Sequence, residues 1–169
     1  MSNPMNSYQN NKTNVLFVCM GNICRSPTAD AVFRHTVKKA GLEDKIFVDS
    51  AGTHAYHVGD PPDRRAQSIA LKRGYQMHDL RARKVIPDDF VHFDYILAMD
   101  NENLALLQQR CPDPYGRKIE LLMQYSKGMY SNREVADPYF GGDQGFEMVL
   151  DMIEEASQGL LAHICSREG

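Results

Sequence analysis

Val15-Leu16-Phe17-Val18-Cys19-Met20-Gly21-Asn22-Ile23-Cys24-Arg25-Ser26-Pro27 is the stretch on which the reading of this chain turns. Its first five residues form an apolar run too short for a helix, which predicts a strand buried on both faces, as in a parallel sheet. Ser26-Pro27 fits the Ncap and N1 positions of a following helix, where proline loses no hydrogen bond. Cys19 and Arg25 stand in the spacing C-x5-R-[ST]. Free backbone N–H groups at a helix N-terminus make a ready anion site. A cysteine set against such a site is expected to act as a thiolate at neutral pH. Anion receptor and nucleophile coincide, which predicts covalent chemistry on a phosphate.

Working outward, Thr28 to Lys39 carries Ala31, Val32, His35 and Lys39 at helical spacing, and Gly41 closes that helix. Ile46 to Ser50 reads as a second strand, followed by a polar loop from Ala51 to Gly59. Pro61-Pro62-Asp63 starts a helix that runs to about Arg73 and is closed by Gly74. Residues 79–91 look irregular, with a short helix near Pro87. Phe93 to Met99 is a third strand, Asn101 begins a helix ending near Arg110, and Ile119 to Leu122 is a fourth strand. A polar loop containing Asp137-Pro138-Tyr139-Phe140 precedes a last helix from about Asp143 to His163, whose apolar stripe includes Phe146, Val149, Ile153, Ala156 and Leu160. Alternating strands and helices predict an α/β fold: one three-layer domain, a four-stranded parallel sheet with helices on both faces. Ligands of such sheets sit at the carboxyl ends of the strands, where the Cys19 loop lies.

The chain of 169 residues fits a single domain that can bury a core without disulfide or metal staples. Its net charge of −3 offers no generalised nucleic-acid footprint. No apolar run approaches the roughly eighteen residues of a membrane span. Residues 1–13 are polar and lack the pattern of a signal peptide, so they are expected to be a disordered tail on a cytoplasmic protein, with the domain spanning 14–169. Of the four cysteines, Cys19 and Cys24 are close, but C-x4-C with no downstream Cys/His pair is a poor zinc pattern. Cys111 and Cys165 read as small hydrophobes.

Each loop residue has a physical reason to be there. Gly21 and Asn22 tolerate left-handed or bridge conformations, letting the N–H groups of Met20, Gly21, Asn22, Ile23, Cys24 and Arg25 converge on an anion. Arg25 supplies a planar fork that a lysine cannot copy. Ser26 can cap the helix and donate to the sulfur. The expected reaction is attack of Cys19 on phosphorus, then hydrolysis of the phosphocysteine. Neither a metal nor a cofactor is expected. Protonation of the leaving oxygen needs a general acid, and Asp137, stiffened by Pro138, is the best candidate. Asp49, Asp60, Asp63 and Asp100 are the others, with helix capping or loop support the expected role of Asp100. A Walker A loop is excluded because no Gly-Lys-[Ser/Thr] follows the glycine.

With Cys19-Met-Gly-Asn-Ile-Cys-Arg-Ser-Pro and Asp137-Pro-Tyr-Phe together, the chain resembles the low-molecular-weight protein tyrosine phosphatases, from Val15 to its C-terminus. Val48-Asp-Ser-Ala-Gly and the Phe93-to-Asp100 strand belong to the same resemblance. It implies Cys19 as nucleophile, Arg25 as phosphate clamp, Asp137 as proton donor, and Asn22 and Ser50 as loop supports. It also implies aromatic walls from Tyr56, Tyr139 and Phe140. The implied partner is a phosphotyrosine-containing protein, a tyrosine kinase among the candidates, with the enzyme a monomer or weakly self-associating. Cys24 matches the family's redox partner of the nucleophile; packing under the loop is the alternative. Asp30 stands where a glutamate is more usual, a change expected to be neutral.

Three rival functions share parts of this pattern. A thioredoxin-coupled arsenate reductase needs further relay cysteines, and residues 75–100 contain none. A phosphate-binding module without turnover has no need of Cys19, Arg25 and Asp137 together. For a sulfur-transfer protein, Asp137-Pro138 would be superfluous.

Overall fold

The computed structural model describes residues 8–168. Strands β1 (Thr13–Cys19), β2 (Ile46–Gly52), β3 (Tyr95–Ala98) and β4 (Ile119–Leu121) form one parallel sheet in the order β2-β1-β3-β4. Helices α1 (Arg25–Lys39), α2 (Arg64–Lys72), α3 (Pro87–His92), α4 (Asn101–Arg110) and α5 (Asp143–Glu168) connect and cover it, with 3₁₀ turns at Tyr115–Lys118 and Leu122–Tyr125. The predicted architecture is the observed one. The chain leaves β1 for one neighbour and returns past it to the other, so strand order reverses at β1. Ligands of open α/β sheets collect at the carboxyl end of such a reversal.

Strand alternation splits the core in two. Val15, Phe17 and Cys19 point to the side packed by α1 and α5, where Phe17 meets Phe33 edge-on at 5.7 Å. Leu16 and Val18 point to the other side, against Phe90, Phe93 and Leu107. Because side chains alternate with a period of two, this register also decides which way the Cys19 sulfur faces.

Two expectations need correction. Residues 1–7 of the expected tail lie outside the described residues, but residues 8–13 form an ordered turn into β1, with Gln9, Asn10 and Asn11 exposed. Gln9 N donates to Asn14 Oδ1 at 2.7 Å, Tyr8 stacks on His92 with centroids 3.8 Å apart, and Thr13 already belongs to β1. Polar composition misled there, because the buried Asn14 side chain gathers this stretch at the strand entrance, donating from Nδ2 to Gln9 O and Lys12 O. Ser26 does not cap α1 either. The helix starts at Arg25, with Cys24 at the cap position and no side-chain cap bond. Backbone already helical at Arg25 turns the Ser26 hydroxyl inward, and Pro27 still sits in the first turn, where no acceptor is missed.

Candidate active site

The loop between β1 and α1 is drawn tight by its neighbours. Asn22 adopts the left-handed conformation with φ 59°, which a short polar side chain tolerates better than most. Its Nδ2 donates to Ser26 Oγ at 2.8 Å and to Ser50 Oγ at 3.0 Å, and its Oδ1 accepts from Arg83 N at 3.0 Å. Just after β2, Thr53 N donates to Cys19 O and His54 N to Met20 O, while Asp63 N, before α2, donates to Ile23 O. Among the described residues, the backbone N–H groups of Met20 to Arg25 donate to no acceptor in the chain. They are the unpaired donors that a helix start offers an anion. Gly52 makes this closeness possible: a Cβ there would lie 2.8 Å from Met20 O and 3.2 Å from Asn22 N.

Cys19 Sγ lies 3.0 Å from Ser26 Oγ. Because Ser26 accepts from Asn22, its own proton is free for the sulfur or for Ala51 O at 3.3 Å. Arg25 is 3% exposed; Nη1 donates to Asp100 Oδ2 at 2.6 Å and to Val135 O at 2.9 Å. That leaves Nε and Nη2 for an anion. Burial works against the Arg25 charge, but Cys19, Asp100 and Asp137 outweigh it and hold the guanidinium protonated. Asp100 caps α4 through Asn103 N at 2.8 Å while orienting Arg25, which fulfils the supporting role expected of it.

Asp137 comes from the distant loop before α5. Its Oδ2 lies 3.7 Å from Arg25 Nη2, and its Oδ1 accepts from Tyr139 N at 3.0 Å. Cys19, Arg25, Asp137, Tyr56, Tyr139 and Phe140 all line one cavity of about 200 Å³. The aromatic groups stand at its mouth: Tyr56 is 74% exposed and stacked on His54, Tyr139 is 37% exposed and Phe140 93%. Cys24 also lines the cavity; burial, then the nearby Asp63 carboxylate, push its thiol well above the usual range. The structure thus brings all the sequence-predicted residues together, with Ser50 one bond removed through Asn22. The remaining acid candidates stand apart: Asp49 binds Arg83 at 3.0 Å, Asp63 caps α2, and Asp60 pairs with His57 at 3.4 Å.

Sequence reasoning missed two contributors. Arg83 forks between Asp49 and Asp89, and its backbone supports both Asn22 and Gly52 N. His57 lines the cavity beside Gly21, where a Cβ would come within 3.0 Å of its ring. Neither lies in a local pattern, so only folding reveals them. A larger, more open groove of about 570 Å³ beside α1 and β2 contains neither Cys19 nor Asp137. No helix among the described residues is long and apolar enough to cross a membrane.

Comparison with known proteins agrees with this geometry. Residues 14–168 match the family model described as low molecular weight phosphotyrosine protein phosphatase. A putative low molecular weight protein-tyrosine-phosphatase of Synechocystis is 47% identical over 89% of this chain and 95% of its own length. The low molecular weight phosphotyrosine protein phosphatase of Schizosaccharomyces pombe is 45% identical over 89% of this chain and 96% of its own. Among solved structures, an Entamoeba histolytica protein tyrosine phosphatase superposes with TM-score 0.89 at 41% identity, covering 94% of this chain and all of the other. A Drosophila arginine phosphatase superposes with TM-score 0.81 at 39% identity, covering 89% and 96%. The chain belongs to the low molecular weight phosphotyrosine protein phosphatases, a family that works through a cysteine nucleophile.

Proposed function

We propose that Cys19, Arg25 and Asp137 divide the phosphatase reaction among them, on phosphotyrosine held between Tyr56, Tyr139 and Phe140. The Cys19 thiolate attacks phosphorus in line as the bond to the aryl oxygen breaks, and the Asp137 carboxyl gives its proton to that oxygen. Tyrosine leaves and a phosphocysteine remains. Water then attacks phosphorus while the Asp137 carboxylate takes its proton. The S–P bond breaks, phosphate departs, and Ser26 donates to the returning thiolate. Through both transition states the amides of Met20 to Arg25 and the free N–H groups of Arg25 meet charge on the equatorial oxygens. Asn22 and Ser50 keep that cradle in shape.

The observation that carries this reading is the convergence of Cys19, Arg25 and Asp137 on one cavity of about 200 Å³ with aromatic walls. Those walls also favour an aryl phosphate over phosphoarginine, the substrate class of the Drosophila relative. A phosphoarginine guanidinium calls for carboxylates, and among the described residues Asp137 is the cavity's one acid. Partners on this reading are phosphotyrosine proteins, tyrosine kinases included, met in the cytoplasm by a monomer or a weakly self-associating chain. Oxidation of Cys19 to a sulfenic acid would be relieved by condensation with the Cys24 thiol, releasing water and forming a disulfide.

Acid-quenched mass spectrometry of the enzyme turning over an aryl phosphate tests the mechanism. A phosphoryl group on Cys19 is expected; one on another side chain would overturn it.

A further inference from the structure

Before Asp137 the chain is anchored at buried Val135, whose N donates to Met99 O and whose O accepts from Arg25, but the segment after Asp137 has few ties. Tyr139 N bonds back to Asp137 Oδ1, and Gly141 N bonds to Pro138 O, both within the segment. The hydrogen bonds that tie Tyr139 to Gly141 to another part of the chain are, among the described residues, both donated by Arg65. Its Nη2 reaches Tyr139 O at 2.8 Å, and its Nη1 reaches Gly141 O at 3.2 Å. The same guanidinium grips Asp63 through Nε at 3.2 Å and Nη2 at 3.1 Å. It lies over the Phe146 ring of α5 at 4.6 Å and within 5.7 Å of the Tyr139 ring. Asp63 in turn caps α2 through Arg65 N at 2.8 Å, and its own backbone N donates to Ile23 O of the phosphate loop at 2.8 Å.

A continuous bridge therefore runs from the phosphate loop through Asp63 and Arg65 to the carbonyls just after Asp137. A planar fork is what such a bridge needs, since one side chain must meet a carboxylate and two carbonyls in fixed directions. We propose that Arg65 is a positioning residue for proton transfer: it sets the distance between Asp137 and the leaving oxygen above Cys19. This rests on the reading of Asp137 as the general acid. Arg65 does not touch the reacting atoms and lines no part of the cavity.

A purely structural role would lower activity on every substrate alike, whereas a role through Asp137 depends on how much the leaving group needs a proton. kcat/KM, which reports steps up to phosphocysteine formation, is therefore measured over aryl phosphates from phenyl to 2,4-dinitrophenyl. Arg65→Ala is expected to lower it about tenfold for phenyl phosphate, a fraction of what a general acid supplies, and less than about twofold for dinitrophenyl phosphate. Arg65→Lys, which keeps the charge and loses the fork, should show the same bias to a smaller extent; it serves as the test if the alanine variant does not fold. The double variant Arg65→Ala with Asp137→Ala should be no slower than Asp137→Ala alone. A uniform fall across leaving groups, an additive double variant, or a wild-type profile in Arg65→Lys would each overturn the proposal. If Asp137→Ala itself shows no leaving-group bias, the assignment of the acid fails first and is seen to fail separately.

Discussion

The phosphate loop and the Asp137 segment face each other across one cavity but are held in opposite ways. Cys19, Asn22, Cys24, Arg25 and Ser26 of the loop are buried, and its support comes from Asn22, Ser26, Ser50 and the backbone of Arg83, with Arg25 locked by Asp100 and Val135. The segment that carries Asp137, Tyr139 and Phe140 lies largely in solvent; buried Val135 anchors it before Asp137, and Arg65 holds it after. The difference follows from the work each end does. A nest of amides stabilises charge only if it is already aligned when the charge develops, so its donors must not relax. A proton donor and an aromatic wall must admit a bulky side chain and release it. Rigidity belongs to the anion end, access to the acid end.

Removing the nucleophile should break the comparison most completely. Cys19→Ser is expected to lose turnover altogether while still binding vanadate with the loop intact, as equilibrium titration would read. Substantial hydrolysis by that variant would mean that the loop only binds. The loop's rigidity is tested next by Asn22→Ala, which orphans buried partners and places alanine at φ 59°. Each orphaned group costs about 1–3 kcal/mol, so the variant should melt several degrees lower and lose activity on all leaving groups alike. Asn22→Gly restores the backbone freedom but not the bonds, and should fall between the two. The opposite end should behave otherwise: Phe140→Ala is expected to leave stability within about 0.5 kcal/mol and raise KM a few-fold for phosphopeptides, read by steady-state kinetics. A large loss of stability there would show that the acid segment is structural after all.

The subtlest effect concerns the layer beneath the loop. Asp30 is buried, with Arg34 2.8 Å away, and burial pushes its carboxyl up to about 7 despite that partner. Between the ordinary carboxylate range and pH 7 the folded protein therefore holds a proton that the unfolded chain releases. Stability from this group is full at the acid end of that window and declines as pH rises through it. Asp30→Asn should flatten that decline in denaturant unfolding followed between pH 4 and 7; an unchanged slope would exclude Asp30 as its source.

Much of this was legible in the sequence because the decisive features are local. A five-residue apolar run, a C-x5-R loop and a proline-marked helix start follow one another, so the strand, the anion site and the nucleophile could be read without tertiary information. The helix at Asn101 and its capping Asp100 were legible for the same reason. Ser26 was misread as a cap because the serine-proline pair fits that position equally well, while the expected approach of its hydroxyl to the Cys19 sulfur is the contact the fold makes. Arg83 and Arg65 carried no signal. Their partners are backbone carbonyls, amides and carboxylates, several of them dozens of residues away, and such bonds leave no periodicity or spacing to read.

By itself, then, the sequence determined the alternation of strands and helices, the nucleophile and its anion nest, because each depends on neighbours along the chain. Tertiary structure alone decided how far Asp137 stands from Arg25, which arginine secures it, and how Asn22 is braced. Those are contacts between separate elements, and the packing of β1 between β2 and β3 under α1 and α5 is what brings their ends to one place.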